Sequence, residues 1–367
     1  MMLWGRTRGA GRQLSVAWWL MVAGRKMSCA TGAVMSAVRL GPVTASSGKA
    51  NEAIYVQPSK ACSRIPLAVL VVFGGDIQDY PEVMAAHRDH KHYVDWSLTT
   101  MATLLASKFP AHHVLVIKPC RMERKTFSCY DNFVSSNSVG APTHDPGITA
   151  LTHLATLIPQ ALRKAQAWQT STRDEFPADQ SCERNNIDES SQSSCVNSPH
   201  EWDTPNDQHC ASDFPNASDY WLRRFEELNI DEITLLGFSK GCVVLNQVIT
   251  ELHGLMTVGL LHSKLLAGFV DKVHSMYWLD GGHAGGRNTW ITSPTILKSL
   301  AAQQHINIHI HVTPYQVRDE FRPWIGKECK SFYDILRRAG ARVNYCLHFK
   351  EEPPSLLSHF KVLNNFI

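Results

Sequence analysis

Two patterns of apolar residues alternate along the first half of the chain. Residues Leu67–Phe73 form a continuous apolar run that ends in two glycines, which is the pattern of a strand buried on both faces. Residues 114–117 repeat this pattern more briefly, just before a proline. Residues 94–109 and 148–168 instead carry apolar side chains at helical spacing. The pattern therefore predicts strands and helices in turn.

The same alternation continues in the second half of the chain. Strands are predicted at 232–236, Val273–Leu279, 306–312 and 343–349, with helices at 294–304 and 328–339. A short run at 53–56 predicts an additional edge strand. Repeated strand–helix–strand units pack as right-handed crossovers. The predicted fold class is therefore α/β, a mainly parallel sheet with helices on both faces.

Residues 169–216 interrupt this pattern, since they are rich in Ser, Asp, Asn, Gln, Glu and Pro. Such a segment cannot bury enough apolar surface to offset the entropy lost on ordering. We predict a long disordered insertion here that offers a docking segment to a protein partner. A helix at 220–228 resumes the structure. The insertion divides one folded core into an N-terminal part, 52–168, and a C-terminal part, 217–367.

The five residues Gly237-Phe238-Ser239-Lys240-Gly241 stand where an apolar strand turns directly into a helix. The helix is predicted over 242–252, with Gly254 closing it. Gly-x-Ser-x-Gly in a strand–turn–helix setting is the signature of a nucleophile elbow, which exposes the serine hydroxyl above the edge of a sheet. The pattern predicts Ser239 as a nucleophile, acyl transfer as the chemistry, and the Lys240 N–H as an oxyanion donor.

A serine nucleophile needs a histidine base and a carboxylate that orients it, and both are expected after the elbow in chain order. His359 follows the last predicted strand by a short Pro-rich turn and is the favoured base; His283 is its competitor. Asp319 follows the penultimate strand and is the favoured acid, while Asp280, which ends the strand before it, is the alternative.

The second oxyanion donor is expected in the loop after an early strand. Gly74 and Gly75 follow the strand Leu67–Phe73 directly. Their lack of side chains lets backbone N–H groups approach a developing negative charge. We therefore predict that Gly74, Gly75 and Lys240 surround the oxyanion.

Charge is concentrated at the N-terminus. The net charge is +3, and residues 1–51 contain Arg6, Arg8, Arg12, Arg25, Lys26, Arg39 and Lys49 but no acidic residue. This composition predicts a mitochondrial transit peptide or a disordered tail, with secretion as the alternative. The remainder is slightly acidic, so no nucleic-acid surface is expected. The apolar stretch 14–23 is too short to span a bilayer, and no transmembrane segment is predicted.

The ten cysteines are scattered, without a Cys-x-x-Cys pair or a Cys/His group at zinc-finger spacing. This favours a reducing compartment and predicts no metal. No phosphate-binding loop is present in the sequence, so no nucleotide cofactor is implied.

The chain resembles the α/β-hydrolase superfamily over residues 53–367, apart from the insertion. The runs 71–79, Val-Val-Phe-Gly-Gly-Asp-Ile-Gln-Asp, and 278–283, Trp-Leu-Asp-Gly-Gly-His, resemble more closely the mitochondrial family called chromosome 2 open reading frame 69. The resemblance implies a mitochondrial matrix protein with a core like that of serine hydrolases. It does not imply a substrate.

Two functions are therefore expected from the sequence. The first is a mitochondrial serine hydrolase that cleaves an ester, thioester or amide of a small acyl or lipid-like molecule through an acyl-enzyme at Ser239. The alternative is a non-catalytic protein of the same fold that binds a partner and supports mitochondrial respiratory function.

Overall fold

The computed structural model describes seven parts of the 367-residue chain: 36–45, 48–59, 67–138, 140–147, 149–174, 228–258 and 263–367, without the side chains of 170–174 and 258. The predicted helix at 220–228 lies outside the described residues apart from Leu228, which is part of a turn, and so do most of the predicted transit peptide and insertion. No helix in the described ranges combines the length and the apolarity needed to cross a bilayer.

One eight-stranded sheet organises the molecule. Its strands are β1 (Val38–Thr44), β2 (Ala50–Val56), β3 (Leu67–Phe73), β4 (His112–Ile117), β9 (Ile230–Phe238), β10 (Val273–Leu279), β11 (Asn307–Val312) and β12 (Arg342–Leu347). Two small hairpins lie outside it: β5 (Arg121–Glu123) pairs with β6 (Phe127–Cys129), and β7 (Ser135–Ser136) pairs with β8 (Pro142–Thr143).

The strand order in the large sheet is β1-β2-β4-β3-β9-β10-β11-β12. Strand β2 is antiparallel to both of its neighbours, and every pair from β4 to β12 is parallel. The carboxyl ends of the central strands therefore meet at one edge, where loops carry functional side chains in open α/β sheets.

Helices cover both faces of this sheet. They are α1 (Pro81–Ala85), α2 (Leu98–Lys108), α3 (Ala150–Asp174), α4 (Cys242–Val258), α5 (Lys264–Asp271), α6 (Pro294–Ala302), α7 (Pro314–Val317), α8 (Pro323–Arg338) and α9 (Leu356–Asn365), with 3₁₀ turns at His90–Trp96 and Ser239–Gly241. Apolar residues of α3, α4, α5, α6 and α8 form one core with one face of the sheet. Residues of α2 and α9 form a second core on the other face.

Strand β3 shows how the sequence pattern produces these two cores. Val71 and Phe73 belong to the first core, while Leu70 and Val72 belong to the second. Side chains of a strand alternate between its two faces. A continuous apolar run is therefore what a central strand with helices on both sides requires. The predicted fold class is confirmed.

Several predicted boundaries differ from the observed ones. Strand β1 lies within the predicted N-terminal segment 1–51, so the folded core begins before residue 52, and β1 rather than β2 is the edge strand. Helix α3 includes residues 169–174 of the predicted insertion. Helix α4 continues through Gly254, where a Cβ would lie 2.9 Å from the Pro146 carbonyl oxygen. That glycine therefore permits close packing instead of ending the helix.

One buried carboxylate joins the helices α3 and α4. Glu251 of α4 accepts hydrogen bonds from the N–H groups of Thr149, Ala150 and Leu151, at 2.9, 2.8 and 2.8 Å. These amides belong to the start of α3, where a helix leaves its first N–H groups without internal partners. The side chain of Gln247 also donates to Glu251. A single side chain of α4 therefore caps α3 and fixes its position.

Candidate active site

The turn from β9 into α4 has the geometry of a nucleophile elbow. Strand β9 ends at Phe238, and Ser239 begins a one-turn 3₁₀ helix that leads into α4. Ser239 has a φ of 53°, in the left-handed region that non-glycine residues seldom adopt. The strand–turn–helix prediction around Ser239 is thus confirmed.

The glycines of the motif are required by close backbone contacts. A Cβ on Gly241 would lie 2.1 Å from the carbonyl oxygen of Phe73, at the end of β3. A Cβ on Gly237 would lie 2.8 Å from the Cα of Cys242. Because neither position has room for a side chain, the turn packs directly on the neighbouring strand. The thiol of Cys242 is buried and donates to the Gly237 carbonyl, and burial raises its pKa.

His359 and Asp280 form a buried pair at the same edge of the sheet. The distance from His359 Nδ1 to Asp280 Oδ2 is 2.6 Å, and the exposed fractions are 3% for His359 and 0% for Asp280. His359 lies in the first turns of α9, which Ser355 caps by accepting from the Ser358 N–H. Because the Asp280 carboxylate can only accept a hydrogen bond, Nδ1 of His359 carries the proton and donates it. In the neutral ring Nε2 is then left as an acceptor.

Asp280 is itself held by the end of the next strand. Its Oδ1 accepts from the Thr313 N–H at 2.7 Å, and its Oδ2 accepts from the Thr313 hydroxyl at 2.6 Å. Its backbone N–H donates to the carbonyl of His311 at 2.7 Å. Asp280 also has a positive φ of 47°. These contacts fix both carboxylate oxygens, so the imidazole of His359 has one orientation available against them.

The prediction that Asp319 orients His359 is wrong. Asp319 Oδ2 instead accepts from Arg322 Nε at 2.6 Å, and Asp319 Oδ1 accepts from the Phe321 N–H at 2.8 Å. The carboxylate therefore closes the turn before α8. Asp280, the alternative from the sequence, is the residue that contacts His359.

The other histidine candidate, His283, is occupied by its own loop. Its Nδ1 accepts from the Gly285 N–H at 2.9 Å, and its Nε2 lies 3.2 Å from the Asn288 carbonyl oxygen. Burial lowers the pKa of His283 to about 4. Glu328 of α8 accepts from the N–H groups of Asn288 and Thr289 and so holds this loop in place. With both ring nitrogens engaged, His283 is a loop-ordering residue in this structure.

Ser239 and His359 open onto one cavity of about 330 Å³. The cavity is also lined by Asp76, Ile77, Phe127, Gly282, His283, Ala284, Tyr315, Gln316, Arg322, Leu356 and Phe360. The ring of His359 stacks on Phe238 with centroids 4.7 Å apart and lies 4.8 Å from the Tyr315 ring. These two aromatic contacts limit rotation of the imidazole.

The loop after β3 approaches the serine but differs from the predicted oxyanion site. A Cβ on Gly75 would lie 2.8 Å from Ser239 Cβ, so the glycine is needed for this approach. However, the Gly75 N–H donates to Gln78 Oε1 at 2.7 Å, and the Gly74 carbonyl accepts from the Tyr130 hydroxyl. The Gly75 amide is therefore engaged in this structure, contrary to its predicted role.

Two side chains of opposite charge lie near the serine, Lys240 fully buried and Asp76 partly buried. The Lys240 side chain is 1% exposed, and its Nζ has no hydrogen-bond partner among the described residues. Burial lowers the pKa of Lys240, while the charge of Asp76 opposes that shift. Burial likewise raises the pKa of Asp76, against the opposing effects of Lys240 and of the Ser128 N–H. Each charge thus partly compensates the other.

The sequence argument did not find Thr313, Gln78 or the electrostatic effect of Asp76 and the Lys240 side chain on each other. Position alone offered a signal for Asp76, which follows the two glycines, and for Lys240, which follows the serine. Nothing in the pattern around Thr313 or Gln78 separates them from ordinary loop residues. Their contacts join segments that only the folded chain brings together.

The strand order, the antiparallel second strand and the elbow followed by an Asp–His pair define a protein of the α/β-hydrolase fold. The model of the C2orf69 family matches residues 39–342, and the chain belongs to that family. The match includes Ser239 and Asp280, and His359 lies beyond its end.

Two mammalian proteins show the relationship at the level of sequence. The chain is 42% identical over 297 residues to the mouse (Mus musculus) protein named "Mitochondrial protein C2orf69 homolog", covering 80% of this chain and 76% of the relative. It is 40% identical over 303 residues to the human (Homo sapiens) "Mitochondrial protein C2orf69", covering 80% and 72%.

Solved structures that resemble the chain include esterases at low identity. Esterase Est22 aligns with a TM-score of 0.39 and 11% identity, covering 91% of this chain and 77% of that chain. A thermostable esterase aligns with a TM-score of 0.39 and 10% identity, covering 90% and 60%. Because these scores are low, the fold assignment rests on the strand order and the elbow of the chain itself.

Proposed function

We propose that this protein is a serine hydrolase that cleaves an ester, thioester or amide through an acyl-enzyme at Ser239. The observation that carries the proposal is the 2.6 Å contact of Asp280 with His359, in a cavity that Ser239 also lines. Ser239, Asp280 and His359 follow one another in the chain as nucleophile, orienting acid and base, which is the order of the triad in this fold.

The buried contacts support a defined path for the proton. Asp280 accepts from Nδ1–H of His359, so Nε2 takes the proton of the Ser239 hydroxyl as its oxygen attacks the substrate carbonyl carbon. The imidazolium that forms is stabilised by the Asp280 carboxylate and donates its proton to the leaving group. A water molecule then loses a proton to Nε2, attacks the acyl carbon and releases the acid, and Ser239 regains its proton.

The developing oxyanion needs two backbone donors. The Lys240 N–H is the first, because Lys240 directly follows Ser239 in the first turn of the 3₁₀ helix, where N–H groups lack internal partners. For the second we propose the N–H of Asp76, in place of Gly75, since Asp76 lines the cavity and the Gly75 amide is bound to Gln78. The cavity also contains apolar side chains, which suit a small acyl group.

A fluorophosphonate probe tests the nucleophile directly. We expect covalent labelling of the folded protein at Ser239, complete loss of labelling in Ser239→Ala, and a large reduction in His359→Ala. The control is Ser293→Ala, at a partly exposed serine before α6 that is expected to label like the wild type. A folded wild-type protein that stays unlabelled, or labelling that persists in Ser239→Ala, would refute the proposal.

We further propose that the protein acts in the mitochondrial matrix. The relatives above are named mitochondrial proteins, and the first 51 residues lack acidic side chains. Since β1 begins at Val38, a cleaved presequence would end before that residue. Residues 1–37 fused to a fluorescent protein are expected to direct import into the matrix. Replacing Arg6, Arg8 and Arg12 by Gln should abolish it, and import that survives this change would contradict the assignment.

One observation favours the non-catalytic alternative. The Gly75 amide donates to Gln78 instead of facing an empty oxyanion position. A protein that only binds a partner would tolerate the loss of its serine hydroxyl. Rescue of cells that lack the gene by a stably folded Ser239→Ala variant would support the binding function, whereas failure of that variant, with rescue by Ser293→Ala, would support hydrolysis.

A further inference from the structure

Two histidines and a cysteine lie together on the last two strands of the sheet. In the parallel register of β11 with β12, His311 is the partner of Cys346. His348 follows Cys346 by two residues, and side chains two apart in an extended chain point to the same face. The His348 N–H donates to the Val312 carbonyl at 2.8 Å, which continues the strand pairing as far as His348.

The atoms that bind metals converge in this cluster. One ligand atom from each of His311, Cys346 and His348 lies within 4.8 Å of the others. His311 Nδ1 is 2.9 Å from His348 Nε2, and Cys346 Sγ is 4.0 Å from His348 Nδ1. His311 is buried, and the other two are partly exposed, so solvent reaches the group from one side.

We propose that His311, Cys346 and His348 bind a zinc ion. Imidazole nitrogens and a thiolate are the ligands that zinc prefers, and a tetrahedral zinc with ligands at about 2.0–2.3 Å separates two nitrogens by roughly 3.3 Å. The observed separation of 2.9 Å needs only a small opening of the histidine pair. Binding releases the thiol proton of Cys346 to solvent and changes no oxidation state. The fourth position is filled by water.

Packing holds the site in place. The ring of His311 lies 5.8 Å from Phe366 of the C-terminal segment and 6.3 Å from Tyr277 of β10. These aromatic contacts fix the buried ligand, while Cys346 lies on β12 and His348 directly follows its last residue. The ion would therefore tie the edge strand to its neighbour.

The site lies next to the segment that holds the acid of the Asp–His pair. The carbonyl of His311 accepts from the Asp280 N–H, and Thr313, two residues later, donates twice to the Asp280 carboxylate. An ion on the His311 ring would restrain this end of β11. We assign the ion a structural and positioning role, which does not depend on whether Ser239 is a nucleophile.

The experiment measures metal binding by the full chain, purified without a polyhistidine tag and freed of metal with a chelator. Competition with a chromogenic zinc chelator is expected to show a zinc site that weakens roughly a hundredfold or more in Cys346→Ser and in His348→Gln. Cobalt(II) should give a thiolate charge-transfer band that Cys346→Ser abolishes. The matched control is Cys120→Ser, at an exposed cysteine on another part of the surface, which should bind zinc like the wild type.

A second measurement needs no variant. Zinc should protect Cys346 of the wild-type protein from alkylation, as read by mass spectrometry of that residue, and the chelator should restore its reactivity. Unchanged zinc affinity in both variants, a cobalt spectrum without the thiolate band, absence of protection at Cys346, or binding of copper(I) but not zinc would each overturn the proposal.

Discussion

The replacement Asp280→Asn tests the assignment of the acid most sharply, because the surrounding donors determine which way the new amide must face. Oδ1 of Asp280 accepts from the Thr313 backbone N–H, a group that can only donate. In the variant this position must therefore remain the amide oxygen. The amide nitrogen then replaces Oδ2, which faces the Thr313 hydroxyl and His359 Nδ1.

The consequence is a change of tautomer. The hydroxyl of Thr313 can rotate to accept, so the amide nitrogen donates to it and to Nδ1 of His359. The imidazole proton then moves to Nε2, which can no longer accept the proton of Ser239. In known Ser-His-Asp triads the same exchange lowers kcat about 10⁴-fold, or about 5.4 kcal/mol of transition-state stabilisation. We expect a loss of that size, with KM nearly unchanged because the cavity keeps its shape.

The assay follows hydrolysis of a chromogenic short-chain ester, or the rate of fluorophosphonate labelling, with circular dichroism to confirm folding. The control is Asp319→Asn, which removes a charge from the ion pair with Arg322 and is expected to change the rate less than about tenfold. A folded Asp280→Asn protein within tenfold of the wild type would refute the reasoning. So would an Asp319→Asn variant that loses the larger share of activity.

Three further predictions concern stability, each read from chemical or thermal unfolding. Gly241→Ala should lower the free energy of unfolding by about 3 kcal/mol or more, because its Cβ would lie 2.1 Å from the carbonyl oxygen of Phe73. The control is Gly268→Ala in α5, where a Cβ would meet no atom within 4 Å, and it should raise the free energy of unfolding by about 1 kcal/mol. Equal effects of the two substitutions would contradict this prediction. Glu251→Ala should lower the free energy of unfolding by about 3–5 kcal/mol, since two buried N–H groups and one partly buried N–H group lose their acceptor. A loss below about 1 kcal/mol would refute the capping role. Burial lowers the pKa of His283 to about 4, so the folded state keeps this ring neutral while the unfolded chain takes up a proton below about pH 6.5. The contribution of the neutral His283 ring to the free energy of unfolding is therefore present above about pH 6.5, and it falls by about 2 kcal/mol between that pH and pH 5. His283→Gln should flatten the dependence of Tm on pH, and an unchanged dependence would contradict the assignment.

The strands were the most predictable elements. The predictions for β3 and β10 agree with the observed bounds Leu67–Phe73 and Val273–Leu279. A strand made of a continuous apolar run is stable only where both of its faces are buried, which in an α/β chain is the middle of a sheet covered by helices on both sides. Strand β1 was not predicted because an edge strand contains exposed residues and so lacks a continuous apolar run. In addition, the basic composition of the N-terminal segment led to its assignment to a transit peptide.

The candidate site was only partly predictable. Ser239 stands in a local motif, and its elbow geometry depends on residues that adjoin it in the chain. The choice of Asp280 over Asp319 depends on contacts with Thr313 and His359, which lie 33 and 79 positions away. Both aspartates follow a strand at the same sheet edge, so their positions in the sequence cannot separate them. The engagement of the Gly75 amide by Gln78 likewise depends on how the loop closes.

The sequence by itself determined the fold class and the position of Ser239, because apolar periodicity and a glycine-framed serine are local properties of the chain. The resemblance to the family was carried by the runs 71–79 and 278–283. The tertiary structure decided which carboxylate contacts His359, that His283 is held within its own loop, and that a buried lysine and a partly buried aspartate lie near the serine. These outcomes depend on directional hydrogen bonds and on burial between distant segments. Such quantities exist only once the sheet has brought those segments to a common edge.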